Sequence, residues 1–261
     1  MNLTRYRGAW SKVVSYAAFF ASSPGHIPAL LRGARYRAGF HVGELIKIAR
    51  MRPALDVGTI GTIIDVGANR GQFSLTARML APSIRIVAVE PLPSCAMFLR
   101  HAIGQGRGRV IEMAAGMEEG EVQFYEAAVD KSSSTLVMTE LHHEEFPWTG
   151  VSASSVVRQD RLDSMIDVDE LVGNVLLKVD VQGAELAVLM SASGLLPRID
   201  AVIVEVDFEE HYVGQSTPDD IVRFLLDSGF HFAGVVELLE RHSDAGVVQA
   251  DLLFRRALQV G

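Results

Sequence analysis

The chain has 261 residues, 49% hydrophobic and 21% charged, with 23 Gly and 9 Pro, a balance that excludes disordered, collagen-like and membrane-embedded classes and leaves a globular protein with a large core. Its net charge of -8 argues against nucleic acid as a partner, because phosphate binding needs clustered bases. Cys95 is the single cysteine, so no internal disulfide is expected and a reducing cytoplasm suits the chain.

Residues 1–53 carry nine Lys or Arg and one acid, Glu44, against 15 bases and 31 acids in the remainder. This basic, helical opening reads either as a lid folded over an acidic body or as a peripheral contact with the anionic inner face of a membrane through the apolar stretch Val13 to Ala21. The stretch is far short of the ~20 residues needed to span a bilayer, and no secretion signal is read there. From Pro53 to Thr62 a Pro and two Gly mark a joint, which places the main domain at 54–261.

Short apolar runs then recur as buried strands: Ile63 to Val66, Arg85 to Val89, Arg109 to Met113, Val175 to Val179 and Ala201 to Val206. Helical intervals at Phe73 to Leu80, Ser94 to His101 and Ala184 to Ser191 alternate with them, the pattern of an α/β fold with a mostly parallel sheet. The interval of about 118–173 is too long for a simple connection and holds an extra strand at Val122 to Tyr125, so it reads as an insertion carrying substrate contacts. After a helix at Asp219 to Asp227, the runs His231 to Val236 and Val247 to Phe254 are close enough to pair antiparallel. A parallel core ending in a hairpin is the layout of the Rossmann-like class I methyltransferase fold.

The strongest local signal is the strand, turn and helix start from Ile63 through Asp65, Gly67, Asn69, Gly71, Gln72 and Phe73. Glycines allow close backbone approach, and amides at a helix start can hold a carboxylate such as that of a methionine moiety. Asn69 stands where a pyrophosphate turn needs its middle glycine, which argues against NAD. Glu90 closes the second strand 19 residues after Gly71, where a carboxylate can accept both ribose hydroxyls, and Pro91 stops further pairing. Ala115, after the third strand, offers a small surface for adenine.

Together with Asp65-Val66-Gly67-Ala68-Asn69 and Glu90-Pro91, the segment from Leu176 to Glu185 with Lys178-Val179-Asp180-Val181-Gln182-Gly183 resembles the signature of the FkbM family of methyltransferases. Ser132-Ser133-Ser134-Thr135-Leu136, Arg161-Leu162-Asp163 and Tyr212-Val213-Gly214-Gln215 extend the resemblance, which runs from about Ile63 to Phe254. It implies S-adenosyl-L-methionine as cofactor and O-methylation of a hydroxyl on a sugar, glycolipid or polyketide-type small molecule. A silent cofactor-binding scaffold and a nucleotide-dependent oxidoreductase are the competing readings.

By position, Asp180 sits at the mouth of the fourth parallel strand and is the candidate base or acceptor-orienting group. Lys178, two residues earlier, faces the same side and either holds the acceptor or forms a buried ion pair. Glu205 ends the next strand at the same mouth, and Ser132, Ser133, Ser134 and Tyr212 are the candidate acceptor contacts. Mg²⁺ held by Asp160, Asp163 and Asp180 is the weaker reading, and His142, His143 and His211 lack zinc spacing, so no metal ligand is assigned.

Overall fold

The computed structural model describes residues 47–48, 51, 55–103, 106–127, 132–241 and 246–257. Seven strands form the main sheet: β1 (Ile60–Val66), β2 (Arg85–Val89), β3 (Gly108–Ile111), β7 (Asn174–Val179), β8 (Ala201–Asp207), β9 (Phe230–Glu240) and β10 (Val247–Arg256). Their order is β3-β2-β1-β7-β8-β10-β9. The first five are parallel, and β10 slots antiparallel between β8 and β9. This is the class I methyltransferase arrangement expected from the strand-helix repeat and the closing hairpin.

Buried strands in such a sheet read as continuous apolar runs because helices cover both faces. Ile63, Ile86, Leu176 and Ile203 point to one face, where they pack with helices α1 (Gln72–Leu80) and α2 (Pro93–Ile103). Ile64, Val87, Leu177 and Val204 point to the other, beneath α5 (Glu185–Ser191) and α6 (Pro218–Asp227). Cys95 lies on α2 and is buried, as its apolar neighbours require. Thr217 caps α6 by accepting from the Asp220 amide, and Pro218 follows at the first helical turn, where a missing N-H costs nothing.

The expected insertion builds a second, three-stranded sheet in which β6 (Val151–Asp160) lies between β4 (Ala114–Ala115) and β5 (Gly120–Ala127). It also contributes α3 (Glu140–Glu145) and α4 (Leu162–Met165). The start of the expected joint, residues 53–54, lies outside the described residues, but the described residues on both sides of it pack in the main core. Ile48 and Met51 are fully buried against the α1 face, and Lys47 reaches the site cavity, so the domain begins no later than Lys47. The rest of the expected N-terminal helical segment lies outside the described residues. Among the described residues no helix is long and apolar enough to cross a membrane.

Candidate active site

A cavity of about 530 Å³ opens beyond the C-terminal ends of β1, β2, β7 and β8, the crevice in which open α/β sheets bind ligands. Gly67 and Gly71 turn the chain out of β1 with φ of 74° and 80°, and Asn69 between them adopts φ 48°. Gly67 N and Ala68 N donate to the Val89 carbonyl, which ties the turn to the end of β2. Gly71 does not line the cavity. An added Cβ there would meet Leu99 at 2.7 Å, so this glycine lets α1 pack on α2. Asp65 is buried and accepts a hydrogen bond from the Ser74 hydroxyl, joining β1 to α1 from inside.

Glu90 is 4% exposed, and its two carboxylate oxygens accept from Asn69 N at 2.8 Å and Leu92 N at 2.9 Å. Two amides thus orient a carboxylate that has acceptor capacity for more, as a ribose diol requires. Asn69 Oδ1 in turn accepts from Gln72 Nε2 at 3.0 Å. Pro91, Leu92, Met113, Ala115 and Phe124 form an apolar wall beside Glu90 that suits a flat base, while Gly67, Asn69, Gln72 and Phe73 line the other end. This donor and wall set fits S-adenosyl-L-methionine: an acid for the ribose, an apolar slot for adenine, and, since the loop amides from Gly67 to Gly71 already donate within the protein, the first turn of α1 at Gln72 and Phe73 for the methionine carboxylate.

At the β7 mouth the charges are tightly organised. Lys178 Nζ lies 2.9 Å from Asp180 Oδ2, 3.8 Å from Asp65 Oδ1 and 5.8 Å from the centre of the Phe73 ring. Burial works against its charge, but Asp180 and Asp65 outweigh that and raise the Lys178 pKa above the ordinary lysine value. The buried ion pair and the cavity-lining position therefore coexist in one residue. Burial also works against the Asp180 charge, while Lys178, Lys47 and hydrogen bonds from Lys178 and Gln182 hold its carboxyl below the ordinary range.

Glu205 lines the same cavity but is differently poised. Burial, followed by the negative charges of Asp180, Asp207, Asp251 and Glu185, pushes its pKa well above that of an ordinary glutamate. Lys47 closes the floor on the hairpin side, 2.5 Å from Asp251 and 3.0 Å from Glu237. Neither Lys47 nor Gln182 was among the candidates read from the sequence. Gln182 carries a local sign, standing between Asp180 and Gly183, but its φ of 59° and its partners exist only in the folded chain.

The acceptor candidates divide. Ser132 and Ser133 line the cavity, as does Tyr212, whose hydroxyl lies 2.9 Å from Gln182 Oε1 and 3.2 Å from the Ser132 carbonyl. Ser134 does not. It is buried, donating to the Gln182 carbonyl at 2.7 Å and accepting from Leu136 N, so it braces the loop. Phe146 and Trp148, both from the insertion, add an aromatic rim.

Asp160, Asp163 and Asp180 do not gather around a common point: Asp163 accepts from Arg161, Ser193 and the Gly194 amide, while Asp180 serves Lys178. Glu145, Glu209 and His211 do converge within 4.8 Å. The Arg241 guanidinium already bridges both glutamates there, so a cation of the protein itself holds that position. The His142 and His143 rings sit edge to face, with centroids 6.1 Å apart.

Fold and site together define a class I methyltransferase domain whose cavity brings Glu90 and Asp180 together beyond the sheet's C-terminal edge. The chain belongs to the FkbM methyltransferase family, whose domain profile matches residues 65–232. It is 27% identical over 160 residues to the 2-O-methyltransferase NoeI of Sinorhizobium fredii, covering 59% of this chain and 66% of that protein. It is 24% identical over 203 residues to the AMB antimetabolite synthetase AmbE of Pseudomonas aeruginosa, covering 64% of this chain but 9% of that one. The chain thus spans just under two thirds of the first relative and a small part of the second. The magnesium protoporphyrin IX methyltransferase of Synechocystis, solved with bound S-adenosylmethionine, superposes with a TM-score of 0.44 at 12% identity, over 82% of this chain and 79% of that one.

Proposed function

We propose that the protein is an S-adenosylmethionine-dependent O-methyltransferase whose acceptor is a hydroxyl on a sugar, glycolipid or polyketide-type small molecule. The observation that carries this reading is Asp180, an anionic carboxylate in the same cavity as Glu90 and the Gly67 turn, with Lys178 fixing one of its oxygens. The likeness to a protein named as a 2-O-methyltransferase supports oxygen as the methylated atom.

Bound S-adenosylmethionine supplies a sulfonium methyl. The Asp180 carboxylate would accept a hydrogen bond from the acceptor O-H, leaving an oxygen lone pair to face the methyl, and would take the proton as the oxygen–carbon bond forms and the carbon–sulfur bond breaks to leave the neutral thioether S-adenosylhomocysteine. A carboxylate held below the ordinary range is a weak base, so orientation contributes more than proton affinity. Glu90 and the end of the β1 turn would hold the cofactor, and the aromatic rim with Leu238 and Leu239 would give the acceptor an apolar surface at the cavity mouth.

Calorimetry with S-adenosylmethionine, S-adenosylhomocysteine and NAD tests the cofactor. Incubation of the protein with methyl-tritiated S-adenosylmethionine and an extract of a host strain lacking it tests the reaction. The expected label enters a small product that survives mild alkali, as a methyl ether does and a methyl ester does not. Binding of NAD without S-adenosylmethionine, or label confined to esters, overturns the reading.

A further inference from the structure

Gln182 joins three of the candidate site residues through one side chain. Its amide nitrogen lies 3.0 Å from Asp180 Oδ1 and 2.5 Å from Glu205 Oε1, and its amide oxygen lies 2.9 Å from the Tyr212 hydroxyl. Chemistry fixes this orientation, since turning the amide over would set its oxygen against the Asp180 carboxylate. The backbone is held as firmly. Gln182 occupies the left-handed region at φ 59°, which an L side chain enters at a cost and glycine does not. Ser134 Oγ bonds its carbonyl, and a Cβ on the following Gly183 would come within 3.1 Å of the Tyr212 and Leu136 side chains. The turn by itself asks for glycine, so the glutamine adds a side chain that turn geometry does not require.

We infer that Gln182 is a positioning residue for methyl transfer, one that fixes the Asp180 carboxylate at the acceptor by tying it through a single amide to Glu205 and Tyr212. The inference rests on Asp180 being the group that meets the acceptor. With Oδ2 taken by Lys178 and Oδ1 by Gln182, the plane of the carboxylate is set by two donors. Lys178 and Lys47 already act on Asp180 from its own strand and from the N-terminal side, while Asp207, Asp251 and Glu185 surround Glu205. A third cation in place of Gln182 would weaken Asp180 further as a proton acceptor. A neutral amide orients it without adding charge.

The test uses the full chain carrying Gln182→Gly or Gln182→Asn, both of which tolerate the left-handed turn. Carbon-13 NMR of the Asp and Glu carboxyls follows the titrations of Asp180 and Glu205, and calorimetry with S-adenosylhomocysteine follows the cofactor cradle. Tritium transfer into the deletion-strain extract, measured across neutral pH, reads the reaction. Melting temperature and S-adenosylhomocysteine affinity stay close to wild type in both variants. The Asp180 and Glu205 titrations are both displaced, and transfer falls by roughly 10²-fold with an altered pH profile, the scale of a small misplacement at a reacting centre. An unmoved Asp180 titration, transfer at the wild-type rate, or loss of S-adenosylhomocysteine binding in both variants overturns the inference. A wild-type protein that neither binds S-adenosylhomocysteine nor transfers methyl sinks the methyltransferase reading instead, and the carboxyl titrations still decide whether Gln182 orders the pair.

Discussion

Gly67 and Asp180 meet backbone to backbone: a Cβ on Gly67 would lie 1.8 Å from the Asp180 carbonyl oxygen, and the Asp180 amide donates to Val66 O at 3.1 Å. The β1 turn and the Asp180 loop are therefore packed as one unit at the ends of adjacent parallel strands. Gly67→Ala must push the two loops apart and also place an L residue at φ 74°. We expect a loss of roughly 2–4 kcal/mol in stability from overpacking and the left-handed backbone, with weaker S-adenosylhomocysteine binding. Urea unfolding and calorimetry check it, and an unchanged variant would mean that the loops are not in contact.

Glu90 is oriented by the Asn69 and Leu92 amides, which donate to its two carboxylate oxygens. Glu90→Ala is expected to weaken S-adenosylmethionine binding by roughly 1.5–3 kcal/mol, the scale of charge-assisted hydrogen bonds lost. Part of that loss comes from the freed Asn69 turn. Comparing intact cofactor with adenosine alone in calorimetry separates the two contributions, because adenosine does not use the turn's carboxylate site.

Asp180→Asn keeps the size of the side chain and removes its charge. Transfer should drop by about 10² or more, the usual scale for a positioned acid-base group, with S-adenosylhomocysteine affinity nearly unchanged. Full transfer activity would take Asp180 out of the reaction, and loss of folding would assign it to the Lys178 ion pair alone.

His142 gives the fold a weakness toward acid. Burial, then His211 and His143, lower its pKa from 6.5 to about 4, with Glu145 opposing them. The Thr149 hydroxyl donates to the Phe146 carbonyl, so in its 2.8 Å contact with Thr149 the His142 Nε2 carries the hydrogen, while its buried Nδ1 has no hydrogen-bond partner among the described residues, a setting that favours the neutral ring. The unfolded chain takes up a proton near pH 6.5 while the native ring does so only near 4, so the unfolded state binds more protons between those values and stability falls as pH drops through that window. By pH 5 the loss from this group amounts to about 2 kcal/mol. Urea unfolding at pH 7 and pH 5 should show a smaller difference for His142→Gln than for wild type. Equal differences would remove His142 from the acid response.

Much of the main sheet is legible because its strands are buried on both faces and so carry unbroken apolar runs. Arg85–Val89 coincides with its expected span, and Ile60–Val66 and Ala201–Asp207 differ only at their ends. β6 has no such mark. Its ten residues include three serines and are mostly exposed, and they are held as a strand by a register with β5 running from Gly120 opposite Gln159 to Ala127 opposite Val151. Pairing rather than intrinsic pattern makes it a strand. In the site, Glu90 and Asp180 follow from their places at strand ends. Gln182 does not, because its partners Glu205 and Tyr212 lie 23 and 30 residues away. Lys47 is hidden for the same reason, its acids Glu237 and Asp251 lying at the far end of the chain.

The antiparallel placement of β10 between β8 and β9 bears on how the protein leaves the ribosome. Among the described strands β10 is made last, yet it is an interior one, pairing with β8 from Ala201 to Asp207 and with β9 from Phe230 to Glu240. Until Val247–Arg256 emerges, the edge of β8 stands open, and β9 has no neighbour to hold it against the sheet. A nascent chain stopped before Val247 therefore presents an unpaired, apolar strand edge of the kind that recruits chaperones or aggregates. The Asp251 that receives Lys47 lies on the same late-made strand, so this ion pair too waits for β10.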